Sequence, residues 1–406
     1  MRILLLNHYY WPDVSGNAQY GTQLAEDLAR AGMEVHAIAS MGDYLGELRT
    51  PRAKEEVHNG VHIHRVPVTN FGKRTAWQRI FDALSFHLMA FFRALRLKKP
   101  DVIITQTAPL LIVTTAALLA FLRRAKFVIW CQDVWPDIAF ALSLFRPRSY
   151  SGRLFRWISH GSMRRADRVV AIGRCMARYL EDTVRIPAGR IMLHPNWGDS
   201  RDIAPIPHAD NAFRRQFGNG DAFVVLYSGN MGWGHPFESI MEAIRRLRDN
   251  AAIRFVLIGG GQRRPFIEEY IRDHALDNVT LLPYQPYALL AQTLSAGDLH
   301  LVSLDERLDG LIIPSKFYGA LAVARPVLFI GSDKNEISYV IDESGCGARV
   351  APGDGNSLIE QILEAASHRE VWQQKGRAGY EEFLAHYRRE TGTARYIALL
   401  EALESE

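Results

Sequence analysis

Short apolar runs alternate with helix-length amphipathic segments from one end of the chain to the other. "RILLLNH" leads into a helix ending near Gly32, and the strand "EVHAIAS" follows. "DVIITQT", "KFVIWCQD" and "DRVVAIG" come next, each trailed by a helix-length segment. Runs of Val, Ile and Leu without alternation predict parallel strands covered on both faces. The rhythm restarts after residue 220 with "FVVLYSGN", "IRFVLIGGG", "VTLLPYQP", "DLHLVSL" and "PVLFIG". Between the two series lies "NWGDSRDIAPIPHADNAF", rich in Pro, Asp and Asn and poor in periodicity, which reads as a linker. The pattern predicts an α/β architecture: two doubly wound, Rossmann-like domains over residues 1–200 and 201–385, with switch points facing an interdomain cleft. The closing segment, 386–406, is helical in pattern and suited to packing back on the first domain.

Residues 73–126 break the rhythm. "KRTAWQRIFDALSFHLMAFFRALRLKK" places Trp77, Ile80, Phe81, Leu84, Leu88, Phe91 and Phe92 along a broad helical stripe. Its basic residues gather at the two ends and Asp82 is its only acid, the pattern of a helix lying on an anionic bilayer. An ordinary core helix is the alternative. "PLLIVTTAALLAFLRR" is strongly apolar for only 14 residues between Pro109 and Leu122, which fits a buried helix better than a span of about 20 residues.

Composition sharpens this picture. The 406 residues are too many for one ordinary core, and 48% hydrophobic with 23% charged residues reads as globular. Residues 1–200 hold 27 Lys and Arg against 16 Asp and Glu, whereas the remainder holds 21 against 28. A basic first half points to an anionic substrate or membrane surface rather than to nucleic acid, for which no module is recognisable. Cys131, Cys175 and Cys346 lie far apart, so a reduced cytoplasmic setting is expected and a disulfide framework is not. The apolar run before Asn7 is only four residues long, a buried strand rather than a secretion signal. No paired His/Cys spacing and no Asp-x-Asp occurs, so neither a metal nor a cofactor is expected.

Three glycine-bearing turns follow strands: "SGNAQYG" (Gly16, Gly21), "SGNMGWG" (Gly229, Gly232, Gly234) and "GGGQRR" (Gly259, Gly260, Gly261). Glycine there lets backbone N–H groups approach a phosphate, although tight strand–helix turns need glycine for steric reasons alone. No dinucleotide fingerprint opens the first helix, which argues against a nicotinamide or flavin enzyme.

The ordered set of motifs resembles the retaining glycosyltransferases of family 4. It runs from "NHYYWPDVSGNAQYGTQLAEDLARAGMEVHAIAS" through "DVWPD" (Asp133–Asp137), "ADRVVAIG", "PNW" (Pro195–Trp197), "LYSGNMG", "IRFVLIGGG", "DNVTLLPYQP" and "PSKFYGALAVARPV" to "GCGARVAPGDGNSL". Within that family "DVWPD", "PNW" and "PSK" look like the branch that builds colanic acid, O-antigen and capsule. The resemblance implies a GT-B fold, with a UDP- or GDP-sugar held by the second domain and a lipid-linked saccharide by the first, at the inner face of the plasma membrane.

It also implies site residues. Ser315 and Lys316 offer a hydroxyl and an ammonium at a helix start to the diphosphate, unless Lys316 is merely a surface lysine. Tyr284 and Gln285 resemble the base-binding turn, and Asp309 and Gly310 lie where the donor sugar approaches. Asp309 stands ten residues before Gly319 rather than the family's eight, and Gly319 replaces a glutamate that resembles a ribose ligand. A lost hydrogen bond of about 0.5–1.5 kcal/mol weakens donor binding by roughly tenfold at most. The usual basic pair after "YSG" is also absent. Its work is assigned to Lys316, the Gly232–Gly234 backbone and His235, with Arg263 in reserve, while Gly229, Asn230 and Gly260 are further donor-binding candidates. His235 is otherwise a structural turn residue. On the acceptor side Asp133 and Asp137 are candidate carboxylates or helix caps, and Gly16 resembles the family's backbone donor to phosphate. Two competitors remain: a sugar-nucleotide epimerase of the same architecture, and a non-catalytic partner that recruits another transferase to the membrane.

Overall fold

The computed structural model describes residues 1–13, 15–42, 52–69, 71, 76–217 and 222–406, without the side chains of 76, 77, 79, 80 and 217. Lys73 and Arg74, with the side chains of Trp77 and Ile80 on the amphipathic stripe, lie outside the described residues. The chain forms two compact units, Met1–Pro195 with Glu390–Glu406, and Asn196–Arg389.

The first unit carries strands β1 (Arg2–Leu6), β2 (Glu34–Ser40), β3 (Glu55–His58), β4 (Val61–Val66), β5 (Val102–Gln106), β6 (Lys126–Cys131), β7 (Arg168–Ala171) and β8 (Ile191–Leu193). They form one sheet in the order β3-β4-β2-β1-β5-β6-β7-β8, parallel except between β3 and β4. That antiparallel pair turns at Asn59–Gly60, where φ is +47° and +83°, the two positive values a type I′ turn requires. Helices α1 (Gly16–Arg30), α2 (Ala76–Arg96), α3 (Ile112–Arg123), α4 (Asp137–Ala141), α5 (Tyr150–Met163) and α6 (Arg174–Tyr179) lie between the strands. Every side chain of β5 is buried, and so is all of β6 after Lys126, as helix-covered parallel strands demand.

The second unit holds β9 (Phe223–Ser228), β10 (Ile253–Ile258), β11 (Val279–Leu282), β12 (Leu299–Ser303), β13 (Val327–Ile330) and β14 (Gly347–Val350), in the order β11-β10-β9-β12-β13-β14. All its pairings are parallel. Its helices are α7 (Glu238–Arg246), α8 (Arg264–Asp273), α9 (Leu290–Ser295), α10 (Lys316–Ala322), α11 (Glu336–Ser344), α12 (Gly355–Ser367) and α13 (Arg369–His386). The strand order reverses at β9, so the open ends of β9 and β12 form the switch point. Below it Tyr227, Phe237, Met241, Phe255 and Trp372 pack in one apolar core. The chain then returns to the first unit as α14 (Arg389–Ser405), whose buried Tyr396 lies 5.0 Å from Trp130, ring centre to ring centre.

The amphipathic segment turns its large side chains outward. Phe86, Ala90 and Ala94 form the buried face of α2, while Phe81, Leu84, Leu88 and Phe92 are exposed and Phe91 is half-buried. The apolar helix α3 is buried along Ile112, Val113, Ala116 and Ala120 but leaves Leu118, Phe121 and Leu122 in solvent. It is thus buried on one face only, which length alone did not reveal. Among the described residues no helix is long and apolar enough to cross a membrane.

Close approach sets one sharp constraint on the second unit. A Cβ at Gly376 of α13 would stand 2.5 Å from the carbonyl oxygen of Ala324. Gly376→Ala should therefore cost about 1–3 kcal/mol and lower the apparent Tm. Gly355→Ala, whose Cβ meets nothing within 4 Å, should leave it within about 0.5 kcal/mol of wild type.

Candidate functional site

In the second unit, β9 and β10 each end in a glycine turn, and the two turns touch. Gly229 and Gly259 have φ of +139° and +140°, and a Cβ on Gly259 would fall 2.0 Å from the Gly229 carbonyl oxygen. Only glycine fits such a pair. Backbone bonds lock the turns further: Met231 N–H donates to Gly260 O at 2.7 Å and Arg263 N–H to Met231 O at 2.8 Å. Arg264 finishes the job from beneath, donating to Gly259 O at 2.6 Å and Leu282 O at 3.0 Å. The result is a ledge of closely packed backbone at the switch point.

Lys316 reaches up to this ledge from the first turn of α10. Its Nζ donates to Tyr227 Oη at 2.7 Å, stands 3.3 Å from His235 Nε2 and lies 4.4 Å from the Tyr227 ring centre. Tyr227 Oη in turn donates to Asn230 O at 2.8 Å, so its lone pair faces the ammonium. His235 Nδ1 is 2.6 Å from Ser303 O, and a carbonyl only accepts, so the proton sits on Nδ1. Nε2 is then an acceptor for Lys316. Burial, aided by the Lys316 charge, lowers the pKa of His235 to about 3, so the ring stays neutral. Burial also lowers that of Lys316 to about 7. Among the described residues no carboxylate pairs with Lys316. It is a half-buried amine cradled by neutral acceptors, with no carboxylate counter-ion among the described residues, not a fully solvated surface lysine.

The other donor-side candidates divide. Asn230 sits against Gly232 and Gly261, and the Tyr284 ring covers Gly260 while its hydroxyl donates to Gly260 O at 3.3 Å. These join the ledge. Gln285 is half-buried and donates to Pro283 O at 2.9 Å. Ser315 is exposed at the N-cap of α10 without a side-chain capping bond. Gly310 takes φ of +74°, and Asp309 beside it accepts from Asn335 Nδ2 at 2.7 Å, tying this loop to the cap of α11. Position 319 faces Leu294, 3.3 Å from where a Cβ would sit, so an apolar contact stands there first.

Of the two readings of His235, the geometry fits the structural one: a neutral ring held between Ser303 O and Lys316 Nζ. Arg263 is not a free cation in reserve: its guanidinium pairs with Glu238 and lies over Phe266 at 4.4 Å and Trp233 at 5.9 Å. Tyr227 and Arg264 were missed. Both stood beside motifs already singled out, in "LYSG" and "GGGQRR".

In the first unit, Thr107 Oγ1 accepts from the N–H groups of Gln132 at 3.1 Å and Asp133 at 2.9 Å, fixing the loop after β6. Burial raises the Asp133 carboxyl to about 6, with no charged partner among the described residues to oppose it. It can hold or release a proton near neutrality. Asp137 is different, and neither caps α4 nor lies open. His160 Nε2 lies 2.7 Å and Arg156 Nη2 2.9 Å from its oxygens. Burial alone would raise its pKa; the bond to His160, with Arg156 and the Tyr179 hydroxyl, holds it below the ordinary carboxylate value. Gly16 is exposed at the start of α1, where Ser15 caps the helix by accepting from Ala18 N–H.

Two family models match the chain in succession. The family described as "Glycosyl transferase 4-like domain" matches residues 15–197, and "Glycosyl transferases group 1" matches residues 222–368. A probable glycosyltransferase of Pseudomonas aeruginosa, WbjE, is 31% identical over 290 residues, 70% of each chain. The putative colanic acid biosynthesis glycosyl transferase WcaI of Escherichia coli K12 is 27% identical over 90% of this chain and 92% of its own. Among solved structures, Anabaena Alr3699/HepE in complex with UDP and glucose superposes with a TM-score of 0.75 at 14% identity, covering 99% of both chains. By these matches and by its paired parallel sheets, the chain belongs to the family 4 glycosyltransferases of the surface-polysaccharide branch and carries their GT-B fold.

Proposed function

We propose that this glycosyltransferase moves a sugar, with retention of configuration, from a UDP- or GDP-sugar to a lipid-linked saccharide at the cytoplasmic face of a membrane. The observation that carries the reading is the uncompensated Lys316 ammonium beneath the Gly229–Gly259 ledge. As the glycosidic bond of a sugar nucleotide breaks, negative charge grows on the departing diphosphate, and preorganised cations and N–H groups stabilise it most. Lys316 supplies the cation. Tyr227 and His235 hold it without neutralising it, since both present lone pairs rather than charge. Tyr284, over Gly260, is assigned to the base and Asp309 to sugar hydroxyls. Asp133 is the acceptor-side carboxylate. A donor of this class suits the fold, since the Anabaena neighbour is described with UDP-glucose. The outward Phe81, Leu84, Leu88 and Phe92 of α2 suit work on a lipid-borne acceptor at the bilayer surface.

Lys316→Ala should weaken UDP or GDP binding about 10- to 100-fold, the worth of about 1.5–3 kcal/mol for a charged hydrogen bond. Calorimetry with both nucleotides reads this, and unchanged affinity would remove the reading's foundation. Protonation is the second handle. Burial holds Lys316 near 7, below the ordinary lysine value of about 10.4, so at pH 8 most of it is neutral until an anion arrives. Nucleotide binding at pH 8 should take up close to one proton, seen as a dependence of the binding heat on buffer ionisation enthalpy. The uptake should fade below pH 6 and vanish in Lys316→Ala.

Asp133 carries the opposite sign. A carboxyl raised to about 6 costs stability as pH rises from about 4 through 6, because the folded chain holds its proton longer than the unfolded one. Asp133→Asn should flatten that slope and stabilise the protein above pH 6 by about 1–2 kcal/mol. Turnover with acceptor should fall at least about tenfold while nucleotide affinity stays put.

A further inference from the structure

A further exposed apolar surface of the first unit lies beyond the amphipathic helix, on α5 and the loop before it. Leu144 and Phe145 are exposed in that loop, and Tyr150, Leu154 and Trp157 are exposed on α5, Tyr150 at 84% and Trp157 at 68%. Positions 150, 154 and 157 share one helical face. Gly152, Ser159, His160 and Met163 form the buried face. A chain that stays in water seldom leaves so much apolar surface in one place.

Charge says what covers it. From Ile138 to Ala166 the chain contains six arginines and no aspartate or glutamate. Arg156 is paired with Asp137, and Arg164 donates to Val184 O at 3.0 Å. The guanidinium groups of Arg146 and Arg148 make no hydrogen bond or ion pair among the described residues. Free cations beside exposed aromatics match a layer of anionic lipid headgroups over acyl chains. They oppose a second copy of the chain, since a two-fold pairing of this face would set arginines against arginines.

The loop is also preformed. Ser149 Oγ donates to Arg146 O at 2.7 Å and accepts from Gly152 N–H at 3.1 Å. Arg153 donates twice to Arg148 O, at 3.2 and 3.1 Å. α3 packs against both α2 and α5, and Ser162 of α5 donates to Thr114 of α3 at 3.0 Å. The exposed Phe121 and Leu122 of α3 therefore belong to the same helical layer.

We infer that Leu144–Trp157 is a second, rigid membrane-docking element that inserts Tyr150, Leu154 and Trp157 into an anionic phospholipid surface, with Arg146 and Arg148 on the headgroups. It deepens the membrane reading above and rests on it only for the choice of occupant. The test uses the full chain, without donor or acceptor, and vesicles of phosphatidylcholine with or without phosphatidylglycerol. Wild type should sediment with the anionic vesicles at least about tenfold better than with the zwitterionic ones. The pair Tyr150→Ser with Trp157→Ser should lose about tenfold of that binding, and Arg146→Gln with Arg148→Gln should lose the anionic preference. Brominated lipid should quench tryptophan emission in wild type and much less in Trp157→Phe. UDP affinity should be unchanged in all variants, which separates failure here from failure of the donor reading. The inference is overturned if the variants bind vesicles as well as wild type does. It is equally overturned if anionic lipid gives no preference, or if Trp157→Ser instead dissolves a concentration-dependent dimer.

Discussion

A lysine ammonium sits at the end of a parallel sheet with only lone pairs for company. Burying a charge in this way costs several kcal/mol unless something compensates it, and Tyr227 and His235 compensate only in part. The rest of the second unit is arranged around keeping that cost in place. Ser303 fixes the imidazole tautomer, Asn230 O fixes the tyrosyl hydroxyl, and the interlocked glycine turns hold the backbone roof. A carboxylate at any of these positions would satisfy Lys316 permanently and leave a bound diphosphate with less to gain. The neutral ring of His235 offers Lys316 a lone pair without a charge.

The same logic explains why Gly319 is tolerable. A side chain at this position would meet Leu294 first, its Cβ 3.3 Å from that residue, in the packing between α10 and α9. The missing basic pair after "YSG" is a larger change, and Arg263 does not restore it while Glu238 holds its guanidinium. On the proposed reading, charge stabilisation rests on one cation among the described residues of the ledge. Such a site depends strongly on the protonation of that single group.

Fold and family were legible because they rest on long-range regularities: unbroken Val/Ile/Leu runs, helix-length spacers and the order of motifs. The β3–β4 hairpin was overlooked even though Asn59–Gly60 is a strong turn signal, because both strands are short and contain several charged residues and histidines. At the site, Lys316 and the glycine turns could be read from their neighbours in the chain. What His235 and Arg263 do could not. Their roles are decided by Ser303 and Glu238, 68 and 25 residues away, and no local pattern encodes which partner a ring or guanidinium meets. The partners of Asp137 were hidden for the same reason, since His160 and Arg156 reach it from a different helix.

The return of α14 has its own consequence. Tyr396, Leu400 and Leu403 are buried in the first unit, yet the whole of Asn196–Arg389 separates them from Met1–Pro195 along the chain. During synthesis the first unit emerges first and is finished last. The place of Tyr396 beside Trp130 is filled only by chain that follows Asn196–Arg389, so a break anywhere in the second unit also deprives the first of its last helix.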